Sequence, residues 1–149
     1  MRAVSIIAAA VAQVPEINEF ISSSRFIQNY ETDNNRVFPI AYLDRPLTII
    51  GDNTAQGTII ERLSVTMLFA DLQPELVDSI EAQANVDIQL ESMRLAARKF
   101  ITALQKNEQT ELISSVNYRD VVNFFDANVC GIVLSFSIKL RVEFPYPCV

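Results

Sequence analysis

Three carboxylates stand three residues apart at Glu75, Asp78 and Glu81. On a helix that spacing lines up acids on one side, where a pair can share a proton or hold a cation. The same spacing also describes a solvated helix face near its N-terminus, where acids suit the helix dipole. Arg94 and Arg98, one turn apart and followed by Lys99, offer a basic patch for nucleic acid or for a partner's acidic rim. Glu91 lies three residues before Arg94, so surface ion pairing accounts for that patch as well. Cys130 and Cys148 have neither CxxC spacing nor a histidine partner, which argues against metal binding and thiol catalysis. A strand expected over residues 129 to 143 is about 45 Å long and separates the two sulfurs, so both read as free thiols in a reducing compartment.

The missing residue types exclude further chemistry. The 149 residues contain no His, no Trp and three Gly. Without histidine there is no Ser-His-Asp or Cys-His nucleophile pair, no HExxH zinc site and no imidazole base. With only Gly51, Gly57 and Gly131 there is no Gly-rich phosphate cradle. Composition therefore points away from an enzyme, and no catalytic, cofactor-binding or metal-binding residue is assigned. A small enzyme working with Glu75, Asp78 and Glu81 alone is the catalytic alternative.

A net charge of −6 opposes a surface that grips phosphates. It suits ordinary solubility, or a wall past which nucleic acid slides without sticking. The first twelve residues, MRAVSIIAAAVA, have the layout of a secretion signal but also read as an Ala-rich packed helix from 2 to 13, stopped before Pro15. The signal reading would make the protein a secreted or periplasmic small binding module. The apolar run is too short to span a bilayer, and no membrane partner is expected.

The elements that must position these residues follow from periodicity. Phe20, Ile21, Phe26, Ile27 and Tyr30 fit either a short strand or a helical turn within a polar stretch over 16–36. Residues 37–43 form a strand candidate, with Pro39 at its start or on an edge. The stretch GDNTAQG over 51–57 reads as a loop tip between two long strands. From Thr58 to Ala70, Ile59, Leu63, Val65, Met67 and Phe69 alternate with Arg62, Ser64 and Thr66. Pro74 is placed to open a helix. From Val86 the apolar residues Leu90, Met93, Ala97, Phe100 and Leu104 form one stripe, with acids early and bases late. A break near Ala84 and Asn85 would divide this helix. Residues 112–125 hold at least one strand, broken near Arg119 and Asp120, and residues 126–128 turn into the final strand, 129–143. There Ile132, Leu134, Phe136, Ile138, Leu140 and Val142 face one way, in the strongest alternation of the chain. The prolines of Phe144-Pro145-Tyr146-Pro147-Cys148-Val149 end the pairing in an extended tail.

The expected architecture is a single α+β domain over 1–149, with an antiparallel sheet, a long helix packed on one face, an N-terminal helix and an extended tail over 144–149. Long strands leave edges to be covered, and edge pairing between copies around an axis would close a ring. Phe124, Phe125, Phe144 and Tyr146 are candidate interface anchors.

Several segments carry a likeness. Phe124-Phe125-Asp126, the Val-Cys-Gly step, the long alternating strand and the Phe-Pro-x-x-Cys close resemble the endings of neck and tail-completion proteins of tailed bacteriophages. The ring proteins of phages infecting Bacteroidetes, crAss-like phages included, are the likeness that can be named. Phe38-Pro39-Ile40-Ala41-Tyr42-Leu43 resembles an early strand of that family, and Ile60 to Leu72, with its LFADL end, matches the family's order. The likeness covers residues 37–149. It departs at Ile132, where a Trp is often found after the glycine.

The resemblance implies a tail-terminator-like fold and a non-enzymatic virion subunit, assembled in the host cytoplasm. Such head-to-tail connector or tail-terminator proteins form hexameric or dodecameric homo-oligomeric rings. They join the portal or adaptor to tail proteins and give DNA a channel, without specific binding, until genome ejection. Asp52, Asn53 and Thr54 would then reach the channel or the adjoining ring, and the terminal tail would clasp a neighbour.

Overall fold

Two stretches of alternating apolar residues dictate the centre of the molecule. In a computed structural model describing residues 2–23, 38–44, 48–53, 58–72, 80–108, 110–112, 115–124 and 129–143, they are β4 (Thr58–Leu72) and β7 (Val129–Glu143). The two run antiparallel and in register from Thr58 opposite Glu143 to Leu72 opposite Val129, without interruption. At about 3.4 Å per residue the paired ribbon is roughly 50 Å long.

Each long strand carries two shorter ones on its outer edge. β3 (Thr48–Asn53) and β2 (Ile40–Asp44) lie antiparallel along successive parts of β4. β5 (Thr110–Leu112) and β6 (Asn117–Phe124) do the same along β7. β1 (Glu19–Ser23) extends the sheet beyond β2, and it runs parallel. The sheet is therefore mixed rather than wholly antiparallel. A parallel neighbour needs a crossover instead of a tight hairpin, and residues 24–39 separate the two strands in sequence.

The helices are α1 (Arg2–Ala12) and α2 (Ile80–Gln105). α1 buries Ala3, Ile6, Ile7, Ala10 and Val11, and Val14 follows them into the same core. Bonds from Gln13 N to Ala10 O (3.2 Å) and from Val14 N to Val11 O (2.9 Å) tighten its end before Pro15. Asn18 then holds the entry to β2 twice, its amide donating to Pro39 O at 2.9 Å and its Nδ2 to Phe38 O at 2.8 Å.

α2 buries Leu90, Met93, Ala96, Ala97, Phe100, Ile101, Ala103 and Leu104. The Phe100 ring lies between Phe69 of β4 and Phe136 of β7, at centroid distances of 5.5 and 5.8 Å. It belongs to one cluster with the odd-numbered residues Leu63 to Phe69 and the even-numbered residues Cys130 to Leu140. Thr110 ends the helix by donating its hydroxyl to Leu104 O at 3.0 Å, which ties the start of β5 to the last turn.

The class is α+β, and several boundaries differ from the sequence reading. α2 passes through Ala84 and Asn85 unbroken: neither residue forbids helix, and the apolar stripe continues beyond them. β6 passes through Arg119 and Asp120, because their charges lie at an exposed edge; the interruption falls before Asn117. A bulge between Val121 and Phe124 sets one extra residue against β7. Residues 19–23 are strand, whereas Phe26, Ile27, Tyr30 and Pro74 lie outside the described residues. The second face of the sheet is also apolar at one end, where Ile21, Ile40, Tyr42, Leu68, Ala70, Val129 and Val133 cluster. Alternation in β4 alone hid this, since Leu68 and Ala70 occupy the face that Arg62, Ser64 and Thr66 keep polar farther along.

Candidate functional site: open sheet edges and a buried thiol

The outer edges of the sheet carry apolar side chains that the fold does not cover. Ile49 and Ile50 of β3 are exposed, Ile50 to 51%, and so are Tyr118 and Val122 of β6. Adjacent strand residues point to opposite faces, so Ile49 and Ile50 leave apolar surface on both sides of the β3 edge. On β6, Tyr118 and Asp120 share a face, and Asp120 Oδ1 accepts a bond from Arg94 Nη2 of α2 at 3.0 Å. Among the described residues β3 has β4 as its strand partner and β6 has β7. An edge of this kind pairs readily with another chain.

The residues singled out in the sequence fall unevenly on this surface. Asp52 and Asn53 are not in a loop: they are paired strand positions of β3, opposite Ile60 and Ile59. Ladder hydrogen bonds to β4 override the turn preference of Gly-Asp-Asn there, and the connection shrinks to residues 54–57. Thr54 lies outside the described residues, as do Phe125, Phe144, Tyr146 and Cys148. Phe124 is the last residue of β6, opposite Val129. Glu81 is a helical position of α2, while Glu75 and Asp78 lie outside the described residues. Among the described residues no group of three or more acidic or cysteine side chains is arranged to hold a metal ion.

Two basic residues of α2 are drawn into ion pairs. Arg94 pairs with Glu91 and with Asp120, and Lys99 pairs with Glu16 beyond the end of α1. The Lys99 ammonium beside Glu16 holds that carboxyl below its ordinary value.

Cys130 is a free, buried thiol at the start of β7. Its sulfur lies 3.2 Å from Gln89 Oε1, and Gln89 Nε2 donates to Leu72 O at 2.6 Å. Burial first, and the Asp71 carboxylate second, push the thiol up to about 11. A nucleophilic cysteine needs the reverse, a cationic or helix N-terminal setting that lowers the value. The Gln89 amide thus links α2 to β4 and β7, and the thiol serves as its donor.

Comparison with known proteins gives no family. No family model matches the chain, and no curated protein matches it in sequence. No described helix is long and apolar enough to cross a membrane.

Proposed function

We propose that this chain is a non-enzymatic structural subunit of a ring in the neck or tail of a tailed bacteriophage, joining portal to tail and giving DNA a channel. The observation that carries the reading is the pair of open sheet edges bearing Ile49, Ile50, Tyr118 and Val122. Such edges fit contacts between copies better than they fit a ligand site. Two edges on different strands give a head-to-tail contact, which generates a ring when the rotation closes. The likeness of residues 37–149 to phage ring proteins supplies the setting, including a tail-terminator-like placement of the long helix on one face of the sheet. The negative charge of −6 fits a lumen that repels the DNA backbone.

Native mass measurement and electron microscopy of the pure protein, together with microscopy of virions labelled for it, test the reading. Closed symmetric particles with an axial hole, found at the virion neck or tail, are expected. Monomers at high concentration and no label in virions would overturn it.

A further inference from the structure

The outer ridge of α2 carries two large apolar side chains that stand exposed. Ile88 is 68% exposed and Leu95 is 47% exposed. Seven residues apart, they lie on one line about 10 Å long, on the side of the helix opposite Leu90, Met93, Ala97 and Phe100. Asp87 and Glu91 flank this line toward the N-terminus, and Arg94 and Arg98 flank it on the same side toward the C-terminus. Asp87 and Arg98 are exposed, and their side chains make no ion pair or hydrogen bond with the described residues.

This distribution of charge selects an occupant. We infer that the ridge docks on the same ridge of a second copy, α2 against α2, antiparallel about a two-fold axis near Ser92. In that arrangement Ile88 meets Leu95 of the partner subunit, and the like flanks of the two helices face each other. Asp87 then lies across from the partner's Arg98, and Arg98 from the partner's Asp87. A parallel two-fold pairing turns this flank instead toward the partner's opposite flank, formed by Asn85, Ser92 and Lys99, where Asp87 meets no free cation and Arg98 lies near a lysine, so the charges favour the antiparallel direction. Glu91 and Arg94 follow the same pattern but are already paired within the chain. The contact is isologous, and with two large apolar side chains per helix it belongs to the weak, concentration-dependent class of under about 1,200 Å². It is separate from the sheet edges, so it also suits two assembled rings meeting through their helices.

Cross-linking of the full chain tests this contact in any oligomeric state. Ser92→Cys places a thiol beside the axis, in a Cys148→Ser background, while Cys130 stays buried and protonated. A short bis-maleimide should join two chains and no more. Asp87→Arg alone and Arg98→Glu alone should each lower the cross-linked yield several-fold, roughly the effect of one like-charge pair at each end. The double variant should restore it, and circular dichroism should show all of them folded. Absence of a cross-link at high protein concentration, or single variants that cross-link as well as the parent, would overturn the inference. Neither outcome touches the ring reading, which is judged by axial particles in the microscope.

Discussion

Gly131 of β7 and Phe69 of β4 approach so closely that a Cβ built on the glycine would stand 2.0 Å from the Phe69 carbonyl oxygen and 2.8 Å from Ala70 Cα. The neighbouring atoms are backbone, at the third pair from one end of the longest strand pair of the fold, and cannot swing aside as a flexible side chain does. Gly131→Ala must therefore spread β4 from β7 where Phe69 enters the core. A destabilisation of roughly 1–3 kcal/mol is expected, the range for overpacked interiors. Urea unfolding checks it: the midpoint should fall clearly. Gly51→Ala makes the control, since its added Cβ meets nothing within 4 Å.

Phe100 joins α2 to both long strands, since its ring touches Phe69 and Phe136 and is fully buried. Truncation to Ala removes the ring from the centre of the principal cluster and leaves a cavity that neighbouring strands cannot close. Phe100→Ala should cost about 3–5 kcal/mol. Leu95→Ala, on the exposed ridge of the same helix, should stay near ±0.5 kcal/mol in the dilute monomer. Equal losses at the two positions would contradict the packing described for α2.

Much of this fold was legible in the sequence, because it follows from short-range periodicity. The alternation from Leu63 to Phe69 and from Ile132 to Leu140 located β4 and β7, and the spacing from Val86 to Leu104 located α2. Long-range pairing left weaker traces. No local pattern distinguishes a parallel partner from an antiparallel one, so the direction of β1 beside β2 was hidden. Turn-forming residues misled at Gly51, Asp52 and Asn53, where a ladder to β4 satisfies the backbone better than a turn does. The ion pair of Glu91 with Arg94 was readable from its spacing, but that of Arg94 with Asp120 joins residues 26 apart and depends on the packed fold. Ile50 and Val122 were unreadable as surface residues, because apolar residues on a strand look alike whether the neighbour is the core or another copy.

Those two exposed positions provide a test of the edges. A lysine in place of Ile50 or Val122 adds a solvated charge where pairing with another chain would bury it, the device by which native edges resist association. Ile50→Lys and Val122→Lys should each reduce the mass of the native assembly while leaving the subunit within about 0.5 kcal/mol of its original stability. Native mass spectrometry and thermal melting at low concentration read the two quantities separately. If both variants assemble like the parent, the sheet edges are not the contacts between copies.

Cys130 makes stability depend on alkaline pH with a definite sign. Its ordinary value of 9.0 rises to about 11 in the folded protein, through burial and then the Asp71 carboxylate. Between these values the unfolded chain has lost the thiol proton while the folded chain keeps it. Stability changes with pH as the protons bound unfolded minus those bound folded, so it must fall as pH rises through this window. The contribution is complete below pH 9 and is lost by about pH 11. Cys130→Ala should remove this part of the alkaline decline, although it costs stability at neutral pH by opening space beside Gln89. Asp71→Asn should shrink the decline partially, because burial remains the larger cause. Urea midpoints measured from pH 8 to 11 for the three proteins supply the comparison: parallel curves would mean that the thiol is not held protonated by the fold.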